Sequence, residues 1–314
     1  MLDHLNIENF MCFKKLEIPT LNRVNLIAGK NNSGKTTLLD AIRILRSNGK
    51  SAVINHILHS RKVFKKGSIE TYFKLLNYED KNWITKINRY YIEFQTDEYE
   101  TFVYHYPLNP VSGDYDDSEI LDPNIYVDTP PDKLVYLPFN SDFDTLSSFW
   151  EDIVLSDYEE DVYEILRETI QPDLIRLNVG KEIVNVRLKN NKQPIPLNTL
   201  GDGVYRILLI ALSLVNAQYS VLLIDELELG LHYSALEKLW EIIFKYAQKW
   251  NIQVFATTHS QDVLRTFHYV SDDEKYINDA QYIRLQINRD GDNEAIIYDG
   301  ERLRETLELQ LEIR

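Results

Sequence analysis

Eight residues near the start of the chain have the types and spacing of phosphate chemistry. Gly29-Lys30-Asn31-Asn32-Ser33-Gly34-Lys35-Thr36 fits G-x-x-x-x-G-K-[ST] at every fixed position. Its glycines let the backbone curl around a phosphate with the N–H groups turned inward. Lys35 is spaced to reach the β- and γ-phosphates of a nucleotide, and the Thr36 hydroxyl to ligate Mg²⁺. A helix starting at Lys35 would point its positive dipole end at the same anion. Far downstream, Val221-Leu222-Leu223-Ile224 runs into Asp225 and Glu226. A buried strand of that kind presents its terminal acids to a site. Asp225 then suits Mg²⁺ held through water, and Glu226 suits a general base that polarises the attacking water.

Three other stretches bear on the same anion. Gly201-Asp202-Gly203 opens a helix and offers N–H groups to a phosphate. The first phosphate site already has its own loop, so this turn makes sense against a γ-phosphate bound to a second subunit. Thr257-Thr258-His259-Ser260 ends another apolar strand, where His259 can contact the γ-phosphate and sense hydrolysis. Glu228-Leu229-Gly230-Leu231-His232 follows the acidic pair, where the two subunits of a nucleotide sandwich would touch.

The elements that must position these residues alternate between strand and helix. Leu5 to Phe10, Leu16 to Ile18 and Val24 to Ile27 read as strands, and Lys35 to about Arg46 as a helix. Val204–Ala217 and Ser234–Trp250 read as helices, Val221–Ile224 and Val254–Thr257 as buried strands, and Gln261 to Thr266 as a helix start. That alternation predicts a parallel α/β sheet. Between the two halves, Ile84–Phe94 with Glu100–Tyr106 predicts a hairpin, Pro107–Pro131 a loop, Leu134–Leu137 a short buried strand and Leu146–Ile170 helical structure. Leu174–Leu197 reads as strand, turn, strand.

Charge sets this middle region apart. Arg43–Arg89 holds 11 basic and 3 acidic residues, whereas Glu93–Asp132 holds 11 acidic residues and no Lys or Arg. Such asymmetry, with further acids from Asp142 to Glu168, marks an insertion with its own surface role. The whole chain of 314 residues carries a net charge of −15, so DNA binding over the whole surface is disfavoured and any nucleic-acid contact needs a local basic patch. Lys50, Arg61, Lys62, Lys65 and Lys66 form the candidate patch, for a nucleic-acid backbone or for an acidic surface of a partner or of this protein itself; the alternative is a solvated helix–loop face. Cys12 is the sole cysteine, which excludes an intrachain disulfide and a cysteine-based zinc site. The start of the chain lacks signal-peptide character, and Ile207–Val215 is far short of the roughly 20 residues that span a bilayer. The expectation is a cytoplasmic protein.

The order of these parts resembles ABC-class P-loop ATPases of the SMC/RecF/OLD group, and within it the OLD-type (overcoming lysogenization defect) ATPases. The stretches that carry the resemblance are Asn9-Phe10, Asn25–Gly29, LGDGVYRILLIALSL, LLIDELELGLHYSALEKLW, NIQVFATTHSQDVL and the closing Leu309–Arg314. They place an ATPase head on residues 1–48 and 172–314, with 49–171 as a mostly α and β-hairpin insertion. The resemblance implies an α/β P-loop fold, ATP and Mg²⁺ as ligands, and an ATP-gated head-to-tail dimer with two composite sites. By position, the phosphate-loop role falls to Gly29, Asn32, Ser33, Gly34, Lys35, Thr36 and Thr37. Magnesium falls to Thr36 and Asp225, the general base to Glu226, the switch to His259 and the trans signature to Gly201, Asp202 and Gly203.

Two positions depart from the pattern. Gly201 stands where ABC signatures usually place a serine, so backbone N–H groups would replace its hydroxyl. The Q-loop glutamine is not evident, leaving Asn140 and Gln95 as candidates. The family also implies a prokaryotic sensor or scaffold in anti-phage defence, controlling a separately encoded effector such as a TOPRIM nuclease. The 54 residues after Ser260 are too few for a TOPRIM domain plus the final family helix, so the expectation is an ATPase without its own nuclease. Alternatives are a repair or recombination ATPase that clamps DNA, and a nucleotide-locked module with little turnover. Asp114–Glu119 reads as a solvated acidic loop, His56 and His59 as surface residues, and Asp290–Asn293 as a hairpin turn.

Overall fold

The computed structural model of the protein describes residues 1–47, 50–61, 84–87, 90–96, 101–107, 133–201, 203–298 and 303. The front half contains β1 (Leu5–Phe10), β2 (Phe13–Ile18), β3 (Val24–Ala28), α1 (Lys35–Arg46) and α2 (Ser51–Ser60). Next come β4 (Ile84–Ile87), β5 (Tyr90–Thr96), β6 (Thr101–Pro107), β7 (Leu134–Leu137), α3 (Phe143–Glu151) and α4 (Glu159–Thr169). The rest is β8 (Leu174–Val179), β9 (Val184–Leu188), β10 (Ile195–Pro196), α5 (Val204–Asn216), β11 (Val221–Ile224), α6 (Leu236–Lys249), β12 (Gln253–Thr258), α7 (Gln261–Ser271), β13 (Ala280–Ile287) and β14 (Asn293–Tyr298).

A six-stranded sheet in the order β14-β13-β3-β12-β11-β7 forms the centre. All its neighbours run parallel except β13 and β14, a hairpin turning at Asp290–Asp292 as expected. β3, β11 and β12 are buried on both faces, which is why their sequences are nearly continuous apolar runs. Alternate side chains divide between two cores. Leu26, Ala28, Leu222, Ile224, Val254 and Ala256 face the core shared with α5, α6 and α7. Ile27, Val221, Leu223, Phe255 and Ile283 face the core shared with α1, α2, β1 and β2. α5 lies inside the first core and is apolar nearly all round, as a buried helix must be.

The middle region departs from expectation in three ways. The hairpin over 84–106 is a three-strand meander, and β4 pairs with β1 (Ile7 opposite Ile87), giving a five-stranded sheet β2-β1-β4-β5-β6. β7 pairs in parallel register with β11, Leu137 opposite Ile224, so it belongs to the central sheet and not to an appendage ending at residue 171. The helical stretch is two helices. Asp142 caps α3 by accepting the Thr145 N–H at 3.0 Å, and Leu155, between them, has φ 65°, which no α-helix accommodates. Leu146, Trp150, Val162 and Leu166 pack into the main core. The acids of α4 meet lysines of α6: Glu168 with Lys245 at 2.6 Å and Asp161 with Lys249 at 2.9 Å. Part of the charge asymmetry is therefore answered within the chain. The Asp114–Glu119 loop lies outside the described residues.

Candidate active site

Parallel register brings three strand ends together. Thr258 on β12 stands opposite Ala28 on β3, and Ala256 opposite Ile224 on β11. The phosphate loop, the Asp225–Glu226 pair and His259 each follow one of these ends, so residues remote in sequence share one rim of the sheet.

The phosphate loop holds its shape through backbone conformations and close approaches. Asn32 has φ 66° and Gly34 φ 96°. A Cβ at Gly29 would lie 2.4 Å from the Leu285 carbonyl oxygen and from Ser33 Oγ, so β13 passes too close for any side chain. Asn293 of β14 donates from Nδ2 to the Ser33 carbonyl at 3.0 Å and braces the loop from outside. Lys35 Nζ donates to the carbonyls of Gly29 at 2.7 Å and Lys30 at 3.1 Å, arching over the loop. Desolvation pulls the Lys35 pKa below its ordinary value, against the raising influence of Asp225, Glu226 and Glu228. Ser33 Oγ is buried without a hydrogen-bond partner.

Asp225 is 1% exposed. Its carboxylate accepts from Thr257 Oγ1 at 2.6 Å and from Thr36 Oγ1 at 3.2 Å. Burial raises its pKa, while these two hydroxyls oppose the rise. Thr257 also accepts the Glu226 N–H at 2.9 Å, so one hydroxyl links both acids. Glu226 is half-buried with φ 50°. The paired oxygens of Thr36 and buried Asp225 are hard donors, and a divalent cation would relieve the burial of that carboxylate; the residues fit Mg²⁺. Among the described residues there is no cluster of three or more His, Cys, Asp or Glu that could hold another metal.

His259 lies at the end of β12. Its backbone N–H donates to Glu228 Oε1 at 3.1 Å, and its Nδ1 lies 3.2 Å from the same oxygen. Gly203 begins α5, and a Cβ there would be 3.0 Å from the Gly230 carbonyl, so the glycine turn packs on the segment that follows Glu226. Gly201 has φ 130°, a conformation suited to glycine. Asp202 lies outside the described residues.

Thr37 is buried, and its Oγ1 accepts from Arg61 at 3.3 Å. Arg61 also binds Asp40 Oδ2 at 2.6 Å, while Arg43 takes Asp40 Oδ1 at 2.9 Å. Of the three roles open to the basic run, nucleic acid, an acidic surface of a partner or of this protein itself, and a solvated face, Arg61 takes an acidic group of its own chain. Lys50 is exposed ahead of α2, and Lys62, Lys65 and Lys66 lie outside the described residues. His56 sits 3.0 Å from Arg43, at the edge of the same cluster. Asn140 lies exposed just after β7, whose end adjoins β11. Gln95 lies on β5 opposite Phe102, in the outer sheet.

Sequence reading missed Thr257 as a partner of both acids, Asn293 as a brace, Glu228 as the histidine's anchor and Arg206. The Arg206 guanidinium, 6% exposed, donates to the carbonyls of Pro138, Asp225 and Glu226. Burial lowers its pKa to about 10. Thr257, Glu228 and Arg206 lie in stretches the motifs mark, whereas Asn293 carries no such signal.

A family described as "AAA domain, putative AbiEii toxin, Type IV TA system" matches residues 94–265, more than half of the chain, and one described as "AAA ATPase domain" matches residues 1–129. An ATP/GTP phosphatase of Helicobacter pylori is 27% identical over 135 residues, covering 41% of this chain and 35% of that protein. The DNA replication and repair protein RecF of Lactobacillus acidophilus is 50% identical over 44 residues, covering 14% of this chain and 12% of RecF. The chain thus spans about a third or less of the curated relatives it matches. In fold it is similar to an SMC head crystallised with the C-winged helix domain of ScpA, with TM-score 0.60, 15% identity, and 96% of this chain and 99% of that one covered. No described helix is long and apolar enough to cross a membrane. The central sheet, the phosphate loop and the family match converge: the chain belongs to this AAA-domain family and has the P-loop ATPase fold of SMC heads.

Proposed function

We propose that the chain binds ATP with magnesium, hydrolyses it, and pairs head to tail with a second copy when ATP is bound. The observation that carries this reading is the junction of Thr36, Asp225, Thr257 and Glu226, in which the Thr257 hydroxyl donates to the Asp225 carboxylate and accepts the Glu226 backbone N–H, while the Thr36 hydroxyl on the phosphate loop donates to the same carboxylate. Lys35 holds the β- and γ-phosphates, and the backbone of residues 29–36 cradles them. Glu226 accepts the proton of the attacking water, and His259 contacts the γ-phosphate. Bound magnesium supplies charge neutralisation at the phosphates, with Thr36 and Asp225 as the residues that hold it. Gly201–Gly203 of one copy faces the γ-phosphate of the other.

The cycle of closing and opening controls a separately encoded effector, a nuclease, in prokaryotic anti-phage defence. Support comes from the resemblance to OLD-type ATPases and from a family description that names a toxin of a toxin–antitoxin system. The related SMC head also holds a partner domain. A second reading, a DNA clamp, is favoured by the stretch shared with RecF. The test uses Glu226→Gln, which should bind ATP but hydrolyse it at least about 100-fold more slowly. That variant, purified from its host with ATP and Mg²⁺, is expected to retain a stoichiometric effector protein, identified by mass spectrometry. Nuclease-sensitive nucleic acid alone would replace the effector reading with the clamp. Undiminished hydrolysis by Glu226→Gln would remove the proposed general base.

A further inference from the structure

Arg206 is a buried cation with an unusual set of partners. Nη2 donates to the carbonyls of Asp225 at 2.7 Å and Glu226 at 3.0 Å, and Nη1 to that of Pro138 at 3.2 Å. These three acceptors are all backbone oxygens, although the carboxylates of Asp225, Glu226 and Glu228 are close enough to favour its charge. The side chains of the two acids are thereby left for Thr36, Thr257 and the substrate. Nε is buried with no partner, so the guanidinium plane is oriented by its two terminal nitrogens.

The carbonyl that Arg206 grips belongs to a residue in a costly conformation. Glu226 is a non-glycine residue at φ 50°, a region that persists only where surrounding structure imposes it. Its N–H is held by Thr257 and its carbonyl by Arg206, with Leu229 N–H as a second donor at 3.1 Å. Thr257 comes from β12 and Arg206 from the first turn of α5, so two separate elements hold the peptide on either side of one Cα. The same helix start meets the following segment again where Gly203 packs on Gly230 and Leu231.

We propose that Arg206 is a positioning residue for hydrolysis: it locks Glu226 in the left-handed turn that aims its carboxylate, and ties that turn to the first turn of α5. The inference rests on Glu226 as general base. A planar guanidinium can bridge carbonyls from the ends of β7 and β11 at once, whereas the compact ammonium of lysine cannot reproduce that fork. A small misplacement of the base raises the barrier without weakening ground-state binding.

The full chain is tested as Arg206→Lys and Arg206→Ala beside Glu226→Gln, with steady-state MgATP hydrolysis, binding of a fluorescent ATP analogue and thermal unfolding. Arg206→Lys is expected to lose about tenfold or more in kcat, with KM and analogue affinity within about twofold. Methylguanidinium should restore part of the turnover of Arg206→Ala and none to Glu226→Gln. Turnover within about twofold of the parent in both Arg206 variants, with Glu226→Gln inactive, overturns the proposal alone. Parallel loss of turnover and affinity, or unfolding of both variants below the assay temperature, makes Arg206 structural and also overturns it. Active Glu226→Gln removes the general-base reading and this inference with it.

Discussion

Glu228 Oε1 binds His259 twice, accepting its backbone N–H at 3.1 Å and lying 3.2 Å from its Nδ1. With Nδ1 engaged, Nε2 is the ring nitrogen that the proposed contact with a γ-phosphate would use. The carboxylate comes from the segment after Glu226 and the histidine from the end of β12, so the pair couples two strand ends. Glu228→Ala should lower kcat roughly 10- to 100-fold, the rate equivalent of a charged hydrogen bond of about 1.5–3 kcal/mol. Glu228→Gln, which retains an acceptor, should recover part of it. Equal turnover in both variants and the parent would deny Glu228 that role.

Lys35→Ala should abolish tight nucleotide binding, whereas Glu226→Gln should leave it intact. Calorimetric titration with MgATP separates the two. Retained affinity in Lys35→Ala would mean that the loop backbone alone holds the nucleotide.

Gly29→Ala tests the closeness of β13 to the phosphate loop. The new Cβ would meet the Leu285 carbonyl at 2.4 Å, a backbone atom of a residue held opposite Ala295 in the β13–β14 pair. Destabilisation of about 1–3 kcal/mol is expected, with loss of nucleotide binding. Urea unfolding and calorimetry would measure both, and unchanged values would contradict the geometry.

Asp40, on α1, is 3% exposed and pairs with Arg43 of the same helix and with Arg61 at the end of α2. Asp40→Asn leaves a buried guanidinium without its countercharge, at a cost of about 3–5 kcal/mol in urea unfolding. A change below about 1 kcal/mol would show that the cluster contributes no more than a surface pair.

Cys12 Sγ would lie 2.9 Å from a Cβ at Gly34. Desolvation raises the thiol pKa, opposed by the Thr37 hydroxyl and Arg61. Less thiolate forms at neutral pH, so alkylation of this exposed thiol by iodoacetamide should keep accelerating past the ordinary cysteine pKa of about 8.5. MgATP should slow the reaction by covering the loop. A rate that levels off below that pH, or ignores MgATP, would count against this placement, by peptide mass spectrometry.

Local structure around the motifs was legible in the sequence. Gly29–Thr36 announces itself because a phosphate loop is contiguous backbone, and α1 begins at the expected Lys35. Apolar runs ending in Asp225 and His259 identified β11 and β12 because double burial leaves a local mark. Tertiary structure alone decided the rest. Leu134–Leu137 joins the central sheet because strand pairing depends on register with distant Val221–Ile224, which no local pattern encodes. Thr257, Asn293 and Arg206 reach the site through hydrogen bonds between remote segments. Arg61 looked like part of a basic surface until folding brought it to Asp40. Motif residues are recognised by spacing along the chain, whereas the residues that orient them are selected by proximity in space, which only the packed sheet and helices create.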